Sequence, residues 1–221
     1  MHYKGINYDV GTKTINGGIT RDMFDLSIVN KEIEIIKSEL HCNAIRISGL
    51  SIERIVQAAE SALKQGITVW FSPALHYDNP GNTLYYIVQG AAAAEKLRQK
   101  YGHVIFVAGC ELSLFTTGFI PGDSAEQRTK ALFSPVSLLK NILGLKRRYN
   151  KRLNTFLLQA VTEVRKYFKG QITYASGTWE KVNWNIFDIV SVDYYRGLYN
   201  KAVYEKGLQI TGIIRRQVII F

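Results

Sequence analysis

A glutamate directly after an apolar run is the strongest candidate for chemistry in this sequence of 221 residues. Glu111 follows the apolar segment 104–109, which is typical of a buried strand. Burial at the dry end of a strand disfavours the charged carboxylate and raises its pKa, which suits a general acid. The structural alternative is an ion pair between Glu111 and Arg46, and Arg46 could also orient Glu111 or another acid that binds substrate.

Other polar and aromatic residues follow apolar runs elsewhere in the chain and form a second set of candidates. These candidate substrate-binding residues are Tyr8, Asp9, Arg46, His76, Asp78, Trp179, Asp193, Tyr194 and Tyr195. Flat rings with a polar edge stack on sugar rings and make hydrogen bonds to sugar hydroxyls. Aromatic rings beside a carboxylate therefore predict a carbohydrate site.

Short apolar segments alternate with amphipathic ones along most of the chain. The predicted strands span residues 3–8, 43–47, 67–71, 103–108, 171–175 and 187–192. Predicted helices lie between them, and Gly66, Gly102 and Gly170 stand where three of these helices should end. Strands that are apolar throughout are buried on both faces, as in a parallel sheet covered by helices.

Two parallel folds fit this alternation, a doubly wound open sheet and a (β/α)8 barrel. No glycine-rich phosphate fingerprint follows the first strand, which counts against a nucleotide-binding open sheet. Candidate residues follow all six strands, and they would face one another only around a barrel axis. We therefore predict a TIM-type (β/α) barrel. A closed barrel needs eight units and usually about 250 residues, so we expect an incomplete one with about six βα units and a seventh-strand stub.

The predicted organisation is a single barrel-like domain over residues 1–221 with two unusual segments. Residues 114–150 form a connection that is too long for an ordinary loop, and we expect it to fold over the strand ends as a lid. Residues 208–221 form an anomalous tail, in which Arg215 and Arg216 lie between apolar runs.

Composition excludes several other classes of protein. Hydrophobic residues make up 47% of the chain, which is enough for a packed core and excludes a disordered protein. Cys42 precedes one predicted strand and Cys110 ends another, so we expect no disulfide and a reducing, cytoplasmic location. The first residues show no signal-peptide core, and no apolar run reaches the length that spans a membrane.

Positive charge is concentrated in the last part of the chain. Residues 1–139 carry equal numbers of cations and anions, so the whole net charge of +10 arises in residues 140–221. Five cations fall within seven residues there: Lys146, Arg147, Arg148, Lys151 and Arg152. Such a run can bind nucleic acid or another acidic polymer, but a solvated helix face is the simpler explanation.

A metal site is a further alternative. Five strand-end residues have side chains that bind divalent cations: Asp9, His76, Asp78, Glu111 and Asp193. The spacings His-x-His and His-Glu-x-x-His are both absent from the sequence, so we predict no metal and no other cofactor. A metal-dependent TIM-barrel hydrolase or isomerase is kept as an alternative function.

Several segments resemble known families. Residues 4–9, 43–46 and 109–111 are similar to the (β/α)8 retaining glycoside hydrolases whose catalytic glutamates follow strands four and seven. Residues 70–73, 118–122 and 188–196 resemble bacterial proteins labelled "abortive infection protein", which look like members of the same clan. The similarity covers about residues 3–207.

This resemblance implies roles for individual residues. Glu111 would be the acid/base, Arg46 would support the site, and Tyr194 or Tyr195 would lie near the nucleophile. The clan has an asparagine directly before the acid/base, where this chain has Cys110. The nucleophile should follow a seventh strand, whereas this sequence ends at Phe221 within that segment.

The expected function is a glycoside hydrolase-like protein that uses a retaining mechanism in its full-length form. We expect impaired activity here because the nucleophile strand is missing. Truncation would explain its absence, and a second chain that supplies the missing units is the alternative. The alternative is a non-catalytic protein that binds carbohydrate or nucleic acid. Unsealed barrel edges also predict a homodimer.

Overall fold

A computed structural model describes residues 3–134, 145–195, 197, 201–202 and 218–220 of the chain. In this part of the chain, seven parallel strands form one sheet in sequence order. The strands are β1 (Gly5–Asp9), β2 (Ala44–Gly49), β3 (Thr68–Pro73), β4 (Val104–Cys110), β5 (Ile172–Gly177), β6 (Val190–Asp193) and β7 (Val218–Ile220). The helices are α1 (Leu26–Ser38), α2 (Ile52–Lys64), α3 (Pro80–Tyr101), α4 (Leu112–Phe115), α5 (Ala125–Phe133) and α6 (Leu145–Tyr167), with a 3-10 turn at Trp184–Ile186.

The prediction of an incomplete TIM-type barrel is confirmed. Parallel strands in the order β1 to β7, with helices between them, follow the arrangement of a TIM barrel, which closes with eight strands. Within the described residues, β1 and β7 each pair with a single neighbour. Dimerisation through these edges stays a prediction.

The predicted elements are present with shifted ends. The strand bounds differ from the sequence-based ones by up to three residues. Helix α3 begins at Pro80 because Asn79 caps it and accepts a hydrogen bond from the Asn82 amide (3.0 Å). Gly66 has φ +72° directly after the end of α2, which confirms its predicted role at a helix end.

Each strand carries two rows of side chains, one towards the helices and one towards the barrel axis. The row towards the helices belongs to the larger core, which includes Ile47 and Phe71 from neighbouring strands. The inner row forms a smaller cluster around Trp70 that contains Ala44, Ile105, Val107, Ala175 and Ile189. Above this cluster the inner row turns polar, with Arg46, Ser72 and Asp193 buried at the carboxyl ends of the strands.

The connection between β4 and α6 is partly helical. Helices α4 and α5 lie within it, and Arg128 of α5 is fully buried. Its Nε donates to the Leu114 carbonyl (2.6 Å) and its Nη1 to the Gly122 carbonyl (2.8 Å). Residues 135–144 of the predicted lid, and 208–217 and 221 of the predicted tail, lie outside the described residues. The lid and the tail both stay predictions.

None of the described helices combines the length and the apolar character that crossing a membrane requires.

Candidate active site

Glu111 lies in a tight turn where β4 ends, at the carboxyl end of the barrel. We call this end, with Arg46, Glu111 and Asp193, the mouth. The pairing of β4 with β5 shifts register between Val107 and Cys110, and such an irregularity re-aims the strand end. Gly109 has φ +137°, and a Cβ there would lie 2.6 Å from Leu112 Cδ1, so only glycine fits. Glu111 itself is left-handed, with φ +44°.

The Glu111 carboxyl is buried, and its pKa is raised. The residue is 8% exposed, and its amide donates to the Ala175 carbonyl of β5 (2.8 Å). Burial, followed by the negative charges of Asp193 and Glu180, raises the pKa of Glu111 to about 8 against the opposing effect of Arg46. The carboxyl therefore holds a proton at neutral pH and can give it to a bound group.

Asp193 is fixed on both of its oxygens by groups from other strands. Arg46 Nη1 donates to Asp193 Oδ1 (3.2 Å) and Cys110 Sγ donates to Oδ2 (3.2 Å). Arg46 Nε also donates to Ser72 Oγ (3.3 Å). Arg46 and Asp193 form an ion pair, and their side chains are buried, at 8% and 0% exposure. Burial raises the pKa of Asp193 in spite of Arg46.

Two further candidates, Tyr195 and His76, lie within range of the charges of this pair. Tyr195 is 61% exposed, and partial burial raises its pKa to about 12, with the charges of Asp193 and Glu111 as further causes. His76 stacks on Phe115 with ring centroids 4.5 Å apart. Burial lowers the pKa of His76, and the charge of Asp9 partly opposes this. Tyr194 is half-buried next to Tyr195.

A second glutamate lies beneath the Glu111 turn, and sequence reasoning did not select it. Glu180 is 9% exposed and accepts hydrogen bonds from the Ser113 amide (3.1 Å), the Gly177 amide (3.1 Å) and the Tyr174 hydroxyl (2.9 Å). Burial raises the pKa of Glu180 to about 7, although these hydrogen bonds lower it. A glutamate shortly after the fifth strand satisfies the rule that selected Glu111, and this signal was available.

Trp179 closes one side of the mouth. Its Nε1 donates to Ser113 Oγ (3.0 Å), which places the indole over the residues that follow Glu111. The Phe133 ring meets the indole edge to face at 5.7 Å and is 60% exposed. Trp179 is half-buried and packs against the cluster of Ile120, Leu132 and Tyr149, so only part of its ring is exposed.

Three predicted site residues make their hydrogen bonds to groups other than Arg46, Glu111 and Asp193. Tyr8 pairs in register with Ile47, so it faces the helices, where its hydroxyl bonds to Glu32 of α1 and accepts from Arg21 (2.9 Å). Asp9 accepts from the Gly11 amide (2.8 Å) and shapes the loop after β1. Asp78 accepts from the Asn79 amide (2.7 Å) and from Asn82 Nδ2 (2.8 Å), at the start of α3.

The structure bears on the predicted alternatives of a metal site and of a site for nucleic acid. In the ranges that the structure describes, no group of three or more His, Cys, Asp or Glu side chains is arranged to hold a metal ion. Of the basic run, Arg147, Arg148, Lys151 and Arg152 are exposed on the first turns of α6. The side chain of Lys146 lies outside the described part. Binding of nucleic acid stays a prediction.

The comparisons with known proteins bear on the fold. No family model matches the chain, and no curated protein matches its sequence. Among solved structures, the GH113 β-mannanase of Alicyclobacillus acidocaldarius in complex with ManMIm is 14% identical, with a TM-score of 0.60 over 98% of this chain and 69% of that one. A GH113 β-1,4-mannanase is 13% identical, with a TM-score of 0.58 over 99% and 70%.

A complex of a GH113 β-1,4-mannanase gives a similar result, with 12% identity and a TM-score of 0.56 over 98% of this chain and 69% of that one. None of these three structures carries the description "abortive infection protein". At this identity the likeness shows the fold alone, which is that of TIM-barrel glycoside hydrolases.

Proposed function

We propose that this chain is a glycoside hydrolase-like protein in which Glu111 is the proton donor to the glycosidic oxygen. The observation that carries the proposal is a buried carboxyl at the end of β4, in the same mouth as the buried Arg46–Asp193 pair. Its burial raises the pKa of Glu111 to about 8. Arg46 forms an ion pair with Asp193, and among the described residues Glu111 forms none, so a structural Glu111–Arg46 pair is not supported.

The proposed step is a balanced proton transfer. Glu111 gives its proton to the leaving oxygen, the carbon–oxygen bond breaks with its electron pair on that oxygen, and a carboxylate after β7 bonds to the anomeric carbon in the retaining course. Water later displaces this second carboxylate, and the Glu111 carboxylate remains in the mouth. Because Asp193 and Glu180 disfavour this carboxylate, it readily takes a proton back from the water that completes hydrolysis. The rings of Trp179 and Tyr195 would bind the sugar, and Arg46 with Asp193 would hold the floor of the site.

A retaining reaction also needs a second carboxylate about 5 Å from the first. The family resemblance places this nucleophile after the seventh strand. Strand β7 spans Val218–Ile220, so the corresponding position would follow the last residue of this sequence. The retaining course is therefore proposed for a barrel in which such a carboxylate follows β7.

The first substrates to test are β-1,4-manno-oligosaccharides, since the similar structures are β-mannanases. Binding is measured by calorimetry with mannohexaose, and hydrolysis with β-mannosides that carry a poor or a good leaving group. Glu111→Gln should slow hydrolysis of the poor leaving group by about 10²–10⁴-fold and affect the good one much less. Glu95→Gln, which changes a buried glutamate at the opposite end of the barrel, is the matched control.

Each outcome decides something. Hydrolysis that Glu111→Gln leaves unchanged overturns the assignment of Glu111. Binding without hydrolysis supports the carbohydrate site and removes the catalytic role in this chain. Neither binding nor hydrolysis of any tested β-mannoside or β-glucoside overturns the proposed function.

A further inference from the structure

Helix α4 begins directly at the candidate acid, yet the acid does not cap it. Glu111 stands at the N-cap position, and its side chain makes no capping hydrogen bond. The first amides of a helix have no partner within the helix and must find one elsewhere. A carboxylate at that position normally bonds to these amides. The Glu111 side chain does not accept these hydrogen bonds, so another group must accept them.

Two side chains from the β5 region supply the missing acceptors. The Leu112 amide donates to the Tyr174 hydroxyl (2.7 Å), and the Ser113 amide donates to Glu180 Oε1 (3.1 Å). The Tyr174 hydroxyl lies 3.0 Å from Oε1 and 2.9 Å from Oε2 of Glu180, and donates to this carboxylate. The two amides that follow Glu111 are therefore held by one connected pair of side chains.

The same pair is tied to β5 on its other side. Glu180 Oε2 accepts from the Gly177 amide (3.1 Å) and from Ser176 Oγ (3.3 Å). Both Tyr174 and Ser176 are buried, at 0% and 3% exposure. Within the described residues, Glu180 makes no ion pair. A buried carboxylate without a cation is costly, so its position under the Glu111 turn calls for a function.

We propose that Glu180 and Tyr174 are positioning residues for Glu111. They cap α4 from below, fix the two peptide planes that follow Glu111 in its left-handed conformation, and so leave its carboxyl free of a capping hydrogen bond at the mouth. This inference rests on the proposed function of Glu111 for its catalytic meaning, while the positioning itself is measurable without any substrate.

The variants separate the two members of the pair. Tyr174→Phe removes the acceptor for the Leu112 amide and keeps the ring. Glu180→Gln keeps the size and one acceptor oxygen but removes the negative charge. Tyr86→Phe is the control for the tyrosine, because the Tyr86 hydroxyl also bonds to backbone after a strand, at the carbonyls of Gly49 (3.0 Å) and Leu50 (2.6 Å). Glu95→Gln is the control for the glutamate.

The first measurement is hydrogen exchange at single amides, together with titration of the Glu111 carboxyl by carbon NMR, assigned with Glu111→Gln. In Tyr174→Phe the Leu112 amide should exchange at least about 10-fold faster relative to the core amides. In Glu180→Gln the pKa of Glu111 should fall below about 8, because a negative charge beside it is gone. Neither control should change either quantity.

The second measurement uses whichever β-mannoside the protein cleaves. Both variants should lower kcat by about 10²-fold and change KM by less than about 3-fold, as expected for a misplaced proton donor. Exchange at Leu112 and Ser113 and a Glu111 titration that match the wild type in both variants would overturn the positioning role. Should Tyr174→Phe fail to fold, Glu180→Gln alone decides through the Ser113 amide and the Glu111 pKa. Failure of the proposed function shows separately, as an absence of hydrolysis with the NMR effects intact.

Discussion

Two buried glutamates at opposite ends of the barrel have opposite electrostatics. Glu95 of α3 lies at the amino end of β5, where it pairs with Arg98 (2.8 Å) and accepts from the Lys169 amide (3.0 Å). Hydrogen bonding to Arg98 lowers the pKa of Glu95 to about 2. Glu180 lies past the carboxyl end of β5, and burial raises its pKa to about 7. One glutamate is paired with a cation and the other is not.

The difference separates a structural end of the barrel from a chemical one. In TIM barrels the amino end of the strands contributes stability and the carboxyl end carries the active site. At the amino end, Arg98 compensates the charge of the buried Glu95. At the mouth, Glu111, Glu180 and Asp193 lie near one another, with Arg46 as a buried cation. Raised carboxyl pKa values gathered at one end are typical of a functional site.

The largest expected effect is a loss of stability when Arg46 is removed from Asp193, compared with the removal of Arg98 from Glu95. Arg46→Met leaves Asp193 buried with Cys110 as its remaining donor among the described residues, and should lower the free energy of unfolding by about 3–5 kcal/mol. Arg98→Met removes a cation that is 30% exposed, and should cost about 1 kcal/mol or less. Urea unfolding at pH 7 measures both. Equal losses would contradict the distinction between the two ends.

Two glycines at the two ends of β4, Gly102 before the strand and Gly109 within its last residues, allow the same comparison for the backbone. Gly109→Ala forces a Cβ to within 2.6 Å of Leu112 in a strained conformation, and should cost about 2–4 kcal/mol. Gly102 has φ +88° with open space around it, so Gly102→Ala should cost only about 1 kcal/mol. Thermal unfolding measures the stability. Only Gly109→Ala should also alter the Glu111 titration, and an unaltered titration would separate the turn from the acid.

The sequence predicts the barrel well because its signals are local. Apolar runs that alternate with helices, and glycines such as Gly66 at helix ends, need no knowledge of distant contacts. Glu111 was also predictable, because burial of a strand end follows from the run that precedes it. Tyr8 shows the limit of this reasoning. A shift of one residue along a strand exchanges its two faces, and only the pairing with Ile47 fixes Tyr8 on the outer one.

Contacts between distant residues were beyond the sequence. Arg46 and Asp193 are 147 positions apart and meet only once the sheet curls. The position of Glu180 after a strand was visible in the sequence, but its partners were not: the Ser113 and Gly177 groups that it binds are backbone amides, which leave no trace in residue type. The curvature of the sheet and the path of the backbone therefore decide the site.

The pH dependence of stability should have opposite signs at the two ends. The pKa of Glu95 is lowered on folding, so its contribution is present above about pH 4.5 and is lost as the pH falls towards 2. Glu95→Gln should therefore cost about 1–2 kcal/mol at pH 6, after screening of the partly exposed Arg98, and nothing near pH 2. Urea titrations across this range measure the effect.

Glu180 should behave in reverse. Its pKa is raised on folding, so its contribution is complete below about pH 4.5 and is lost as the pH rises through 7. Glu180→Gln should match the wild type at pH 4 and exceed its stability by about 2–3 kcal/mol at pH 8. A variant that is more stable yet slower is the expected result of replacing a positioning residue. A loss of stability at pH 8 would mean that Glu180 is a structural anchor.

The smallest expected effect lies at the two ends of α6, which runs from the mouth to the amino end. Its first turns carry Arg147 and Arg148 and no acidic residue, whereas Arg165 and Lys166 stand in its last turn. Cations oppose the helix dipole at the start of a helix and favour it at the end. At the amino end Arg165 also pairs with Asp188. Charge is therefore placed favourably at the structural end and unfavourably at the mouth.

Removing the cations should expose this asymmetry. Changing Arg147 and Arg148 together to Gln should raise the free energy of unfolding by about 0.3–1 kcal/mol, and Arg165→Gln should lower it by a similar amount. Both effects should shrink in 1 M salt, where the Debye length is about 3 Å. If the double variant is instead less stable, these arginines stabilise the folded protein through contacts of their own. If it is more stable but loses salt-dependent binding of a polyanion such as heparin or RNA, the unfavourable charges serve a ligand at the rim of the mouth.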